Sequence, residues 1–189
     1  MNDFKKIFLL WIVIMFFVTF TCTLTYLVMQ QTLRLGANQA PLESAIDAKL
    51  ALQRGTSPES ALPGNKLDAS ESLDTFVMIY DKKMTPVASS GTINGQIPHY
   101  PIDVLKNVAL KGEEKVTWQP QRDLRYATVA VRYNHGFIVG ARSLKETESL
   151  IGSIGNLILA AWIACFVLFS IALAVLYSVM KKLYKTRNA

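Results

Sequence analysis

"VGARSLKETESLIGSIG", residues 139 to 155, decides how the chain is read. It starts as the end of a β-strand, turns into a charged helix and runs into an apolar stretch. Ser143 and Glu146 form S-x-x-E, a capping box in which the serine oxygen accepts a free amide of the helix start and the glutamate reaches back. A helix is therefore expected from Leu144. Gly152 and Gly155 weaken it by only about 1 kcal/mol each, so nothing before Met180 compels a break. A strand joined directly to such a helix makes Arg142, Ser143 and Glu146 candidate coupling residues, through which a change in the sheet is felt as a displacement of the helix. The plainer reading is that any strand ahead of an apolar helix has to enter it somehow, and a cap is ordinary helix design.

The apolar stretch itself, residues 154 to 180, has 27 residues without a charge, and Asn156 is its one strongly polar side chain. A second such block, residues 7 to 29, has 23 uncharged residues. At about 1.5 Å per helical residue, either exceeds a hydrocarbon core of about 30 Å. For the first block, Lys5 and Lys6 resemble the positive start of a removable signal peptide, but the apolar run is too long and no A-x-A site follows. Thr21 before Cys22 does not suit a lipoprotein signal. An uncleaved anchor is expected. Basic residues beside a span stay on the cytoplasmic side. Lys5 and Lys6 at one end, with Lys181, Lys182, Lys185 and Arg187 at the other, place both termini in the cytoplasm. The expected order is a cytoplasmic tail (1–6), a transmembrane helix (7–29), an outer domain (30–153), a second transmembrane helix (154–180) and a cytoplasmic tail (181–189).

Of the 20 basic and 14 acidic residues, residues 30 to 153 hold all but six of the former and all but Asp3 of the latter. The middle segment is therefore almost neutral, and the basic surplus belongs to the membrane flanks. A nucleic-acid partner is not expected, because such a binder clusters positive charge on its folded domain. Cys22 and Cys165, the 2 cysteines, both fall in the apolar blocks. The middle segment thus has no disulfide, no thiol nucleophile and no thiolate ligand, and its core alone must hold it.

Within that segment, Leu42, Ala45, Ile46, Lys49, Leu52 and Gln53 share a helical face, Pro41 breaks or offsets the helix near its start, and Gly55 ends it. Residues 55 to 73 read as a loop with one short helical turn capped by Ser57. The period then becomes alternating. Strands are expected over 74–81 and 84–91, joined at "DKK", with a tight "NG" turn at 94 and 95. A helix follows from Pro101, with Ile102, Leu105, Val108 and Ala109 inward and Gly112 as its end. Three more strands fit 114–119, 124–133 and 136–143, the last two joined by "NHG".

The stretches "VMIYDKKMTPVASSGTINGQIP" and "RYATVAVRYNHGFIVGARSLKETE", with a helix between them, resemble the extracytoplasmic sensor domains of bacterial transmembrane receptors, of PAS-like or single-Cache type. The resemblance implies an α+β fold: two transmembrane helices flanking a five-stranded antiparallel sheet packed on a long N-terminal helix. It also implies a small-molecule pocket on the sheet's other face. Receptors of this kind continue into a kinase, cyclase or methyl-accepting module, whereas this chain stops nine residues after its second apolar block, and no output chemistry is expected in it.

Candidate ligand-binding residues are Tyr80, Ser89, Trp118, Tyr126 and Arg132. Aromatic residues with polar tips suit a ligand cavity and suit a sheet core equally well. Arg132 shares a face with Tyr126 and Thr128, opposite Arg125, and suits an anionic ligand or simple solvation. Ser89 and Ser90 offer donors or mark a bend before Gly91. His99 and His135 lack metal-site spacing, and His135 reads as a turn residue, so no metal or cofactor is expected. No catalytic motif occurs and no charge lies inside either span, so neither an enzyme nor a transporter is expected. Small residues four apart, Ala160 with Ala164, Ser170 with Ala174 and Thr21 with Thr25, allow close helix approach and a homodimer.

These observations lead to an expectation: a bacterial cytoplasmic-membrane protein with two spans, whose outer domain binds a small ligand or a partner protein. It signals through its helices to a separate membrane protein, a histidine kinase or similar receptor. The alternatives are a scaffold or assembly factor that senses nothing, and a receptor that has lost its effector.

Overall fold

The computed structural model describes residues 3 to 64 and 66 to 187. Met1, Asn2, Asn65, Asn188 and Ala189 lie outside the described residues, as do the side chains of Lys185 and Arg187 in the expected tail. Helix α1 covers Asp3–Gly36 and α2 covers Gln39–Gln53. A proline ring collides with the carbonyl four residues before it. For Pro41 that residue is Ala37, and the chain turns there, with the Asn38 amide tightening onto the Leu35 carbonyl at 3.2 Å. Pro41 costs α2 little, because the first amides of a helix have no intrahelical acceptor in any case.

The strands are β1 (Leu67–Asp68), β2 (Phe76–Asp81), β3 (Pro86–Ser89), β4 (Gly91–Thr92), β5 (Glu113–Gln121), β6 (Leu124–Tyr133) and β7 (Gly136–Ser143). Helix α3 (Ile102–Lys111) precedes β5, and α4 (Lys145–Arg187) follows β7. The fold is α+β, with an antiparallel five-stranded sheet of order β3-β2-β7-β6-β5. The last strand is thus central. The β1–β4 pair, a short parallel ladder of Leu67 with Gly91 and Asp68 with Thr92, was not anticipated from the sequence, because two-residue strands carry no period. Asn94 and Gly95, with φ of 52° and 74°, make the expected tight turn that bridges Ile93 and Gln96.

Side chains alternate between two covered faces. On one, Val77, Ile79, Val129, Val131 and Ile138 pack under Ala45 and Ala48 of α2. On the other, Phe76, Met78, Tyr80, Trp118, Tyr126, Phe137 and Val139 pack under Leu105 and Val108 of α3. The buried stripe of α2 is Pro41, Ala45 and Ala48, rotated from the expected face, so that Ile46 is 41% exposed and Gln53 is also exposed. The reason lies in Gly140 of β7. A Cβ there would stand 2.8 Å from the carbonyl carbon of Pro41 and deeper still inside its oxygen. Such an approach demands small residues on the contact face, which places the larger Ile46 outward. On α3, Ile102 is likewise exposed, at 55%, while Leu105 and Val108 are buried as expected.

The chain divides into two compact units, one of residues Thr32–Ser149 and one of the helical stretches up to Gln31 and from Leu150. Two helices are long and apolar enough to cross a membrane, and the most apolar windows of the two are 6% and 0% buried. Inside the helical unit the two stretches run antiparallel. Trp11 meets Phe166 edge-on at 5.4 Å, and the Trp162 indole donates to Thr19 Oγ1 at 2.9 Å. Further along, Tyr26 closes on Gly155. The hydroxyls of Thr19, Thr21, Thr23, Ser170 and Ser178 each donate to the carbonyl four residues back. That arrangement leaves them satisfied without water.

Gly140→Ala is expected to destabilise the sheet domain by about 3 kcal/mol, since the colliding atoms are backbone and cannot swing away. Ile46→Ser on the same helix should stay within about 0.5 kcal/mol. Denaturant unfolding of the full chain in detergent, followed by tryptophan fluorescence, checks both.

Candidate functional site

The sheet face opposite α2 gathers four of the five expected ligand residues, and it uses three of them as core. Tyr80 and Tyr126 are 1% exposed and Trp118 is 6% exposed. Tyr126 meets Phe76 edge-on at 5.5 Å and Trp118 at 5.7 Å, and Trp118 meets Tyr100 at 5.4 Å. The tyrosine hydroxyls are all occupied. Tyr80 donates to the Pro98 carbonyl at 3.0 Å and accepts the Tyr100 amide at 3.2 Å. The Tyr126 hydroxyl donates to the Ala69 carbonyl at 2.6 Å, and Tyr100 shares a 2.8 Å hydrogen bond with Thr128. Thr128 and Tyr100 complete this network but do not stand out in the sequence, because a buried Thr looks like any strand residue. Burial pushes the phenols of Tyr80 and Tyr100 up to about 12, and it raises that of Tyr126 as well.

Arg132 lies on the same face at its rim. Its guanidinium donates to the Ala109 carbonyl in the last turn of α3 at 2.8 Å, and its amide donates to the Gly112 carbonyl at 2.9 Å. A cation over the open carbonyls of a helix end complements the helix dipole. Arg132 therefore anchors α3 to β6 and stands apart from the aromatic cluster.

Ser89 belongs elsewhere, in a cleft of about 300 Å³ beside the edge strand β3, lined by Glu59, Leu62, Lys66, Val87, Ser89 and Ile97 among others. The Ser89 hydroxyl donates to the Gly91 carbonyl at 2.6 Å and accepts the Gly91 amide at 3.1 Å. Ser90 Oγ accepts the Val77 amide at 2.9 Å. Both serines thus turn the chain from β3 into β4. Gly91 is required there, because a Cβ would fall 2.6 Å from the Phe76 ring. Of the cleft's lining, Ala88, Ser89 and Ser90 are buried, Val87, Ile97, Lys66 and Glu59 are exposed, and its size matches the small end of ligand pockets.

The three coupling residues meet at the start of α4. Ser143 Oγ accepts the Lys145 amide at 3.3 Å, one half of the expected capping box. Glu146 does not return to the Ser143 backbone; its carboxylate takes the Arg142 guanidinium at 3.2 Å instead. An ion pair competes well with a neutral amide for a carboxylate, and Arg142 is four residues back on the same side. Glu148 pairs with Arg125, which the sequence offers only as the arginine on the far face from Arg132. The Leu144 amide bonds the Arg125 carbonyl at 2.8 Å, so the helix begins at Lys145, one residue later than expected. Two arginines on neighbouring strands thus grip two carboxylates in the first turn of α4.

Among the described residues, no group of three His, Cys, Asp or Glu side chains is placed to hold a metal. No protein-family model, curated protein or solved structure matches this chain. The buried phenols generate an expectation for alkaline pH. Their folded values lie above the ordinary 10.0, so the folded state keeps protons that the unfolded state loses. Their contribution to stability is whole below pH 10.0 and fades as pH rises toward about 12. Unfolding midpoints should fall over that window, and Tyr80→Phe should flatten the fall. Tyrosinate absorbance at 295 nm, recorded with the midpoints, checks it.

Proposed function

We propose that this protein crosses the cytoplasmic membrane of a bacterium twice, with both termini inside and the sheet domain outside, and that it acts as a sensor-like module. The outer domain, of PAS-like or single-Cache type, recognises a small ligand or a partner protein, and α4 passes the change to a separate membrane signalling protein such as a histidine kinase. One observation carries this reading: α4 is a single helix from Lys145 to Arg187 whose first turn is gripped by Arg125 and Arg142. A shift of the ends of β6 and β7 acts on those carboxylates and so on the helix. The charge pattern supports the orientation, with Lys5 and Lys6 at one flank and Lys181 and Lys182 at the other.

The filled aromatic face favours recognition at the surface or in the cleft beside β3 over a ligand enclosed between sheet and α3. It equally favours the second reading, a membrane scaffold or assembly factor that binds proteins and no metabolite. The two part on whether the cleft takes a ligand.

Tags at the two termini should be protected, and a tag in the loop at residues 55 to 66 accessible, in intact spheroplasts; an accessible terminus overturns the topology. In mild detergent the full chain should bring down a membrane signalling protein. Removing the two grips together, with Arg125→Gln and Arg142→Gln, should lower the free energy of unfolding by no more than about 2 kcal/mol, since each exposed pair contributes at most about 1, yet it should uncouple that partner's response. A metabolite that raises the melting temperature of the unmodified chain but not of Val87→Trp marks the cleft as the sensing site. Failure of every metabolite, with a protein partner retained, selects the scaffold.

A further inference from the structure

The turn at Asn94 and Gly95 is the one place in the chain where an asparagine is followed by glycine. We propose that it is a site of spontaneous modification, at which Asn94 loses ammonia and becomes isoaspartate, and that the change opens the bridge between Ile93 and Gln96 beside the β3 cleft.

The reaction needs two free groups, a side-chain carboxamide to be attacked and the following backbone nitrogen to attack it. Both are free here. Asn94 and Gly95 are exposed, and neither the Asn94 carboxamide nor the Gly95 amide makes a hydrogen bond among the described residues. A Cβ on Gly95 would meet nothing within 4 Å, so no neighbour crowds the nitrogen. The other described asparagines differ. Asn107 donates from its carboxamide to Glu114 at 3.5 Å and Asn38 to the Arg34 carbonyl at 3.2 Å. Asn134 and Asn156 precede His135 and Leu157, whose side chains stand beside the nitrogen that would have to attack.

The Gly95 nitrogen gives up its proton and bonds to Asn94 Cγ, and the Cγ–Nδ2 bond breaks with release of ammonia, leaving a cyclic imide. Water then adds to either imide carbonyl. Where the bond from nitrogen to Cγ breaks, the product is ordinary aspartate; where the bond to the main-chain carbonyl carbon breaks, the backbone is rerouted through the side chain as isoaspartate. The left-handed backbone of Asn94, at φ 52°, has to relax before the ring closes, and an exposed turn held by two hydrogen bonds, of 2.9 and 3.2 Å between Ile93 and Gln96, opens locally at small cost. The return is barred. Isoaspartate puts an extra carbon into the main chain of a two-residue turn whose form depends on left-handed dihedrals at both positions. Ile97, two residues beyond Gly95, lines the cleft beside β3, so the loosened segment belongs to a wall of that cleft.

The test ages the full chain in detergent in mildly alkaline buffer and, in parallel, in mildly acidic buffer, where the amide keeps its proton. Peptide mapping should find a gain of about 1 Da at Asn94 in the alkaline sample, with isoaspartate among the products and Asn134 unchanged. Hydrogen exchange at Ile93 and Gln96 should be faster in that sample than in fresh protein. Asn94→Gly takes the left-handed turn without a carboxamide, so it should gain no mass there and keep its protection. Asn94→Asp carries the new charge on a normal backbone and should keep the protection too. An aged chain with Asn94 unmodified, an equal gain at Asn134, or aspartate as the sole product overturns the proposal. So does undiminished protection of Ile93 and Gln96 in the isoaspartyl chain, or an equal loss in Asn94→Asp, which assigns the opening to charge alone.

Discussion

The sheet domain depends on one close approach, the backbone of α2 at Pro41 against Gly140 of β7. Gly140 pairs with Val77 on one side and Val129 on the other, both fully buried, so the missing side chain leaves a slot between two valines. The helix settles into it only because its own contact residues are proline and alanine. Brought that near, Ala45 and Ala48 reach the aliphatic face and no large side chain is needed to fill the gap. The break between α1 and α2 serves the same contact, because Pro41 both ends the first helix and supplies the carbonyl that meets the glycine.

The opposite face obeys a different constraint. It is built from large aromatic residues, and their hydroxyls are polar groups that burial makes expensive unless each finds a partner. Pro98, Ala69 and Thr128 supply those partners, two of them from irregular segments. Loops that would otherwise be loose are thereby fixed to the sheet, and the β1–β4 pair lies against Phe76 through Gly91. The same residue types would line a ligand cavity if the loops stood off. Here the loops are drawn in by the phenols themselves, and the hydroxyls of Tyr80, Tyr100 and Tyr126 already have partners.

The period of the chain made the elements legible. Alternation from Phe76 to Asp81 and from Leu124 to Ser143, with "NG" and "NHG" between runs, helped to foresee five strands, their antiparallel sheet was what the resemblance implied, and Pro101 with Gly112 bounded α3 closely. What failed was rotation about a helix axis. Ile46 and Ile102 were expected inward because they are large and apolar, but which stripe of a helix is buried depends on how near the sheet lets it come, and Gly140 is remote in sequence from Pro41. The roles of Tyr80, Trp118 and Tyr126 were undecided for a related reason. A pocket and a core have the same composition, and only the partners of the hydroxyls tell them apart. The pairing of Arg125 with Glu148 was hidden because it joins residues distant in sequence, whereas Arg142 and Glu146 are four apart.

The two grips on α4 gain meaning from where they sit. Arg142 is two residues beyond Gly140 on β7 and shares its face, and Ala127 beside it in the ladder shares a strand face with Arg125. The seat of α2 and the root of α4 therefore occupy successive positions of one strand. Exposed ion pairs contribute little to stability, and the fold does not need them. Their geometry is nevertheless directional: carboxylates at the start of a helix are favoured by its dipole, and two arginines on adjacent strands fix the azimuth of the first turn. Weak energy with defined direction orients the first turn of α4 without clamping it. From Gly140 to Ser143, β7 therefore joins the seat of α2 to the first turn of α4 along one strand, with no step through the core.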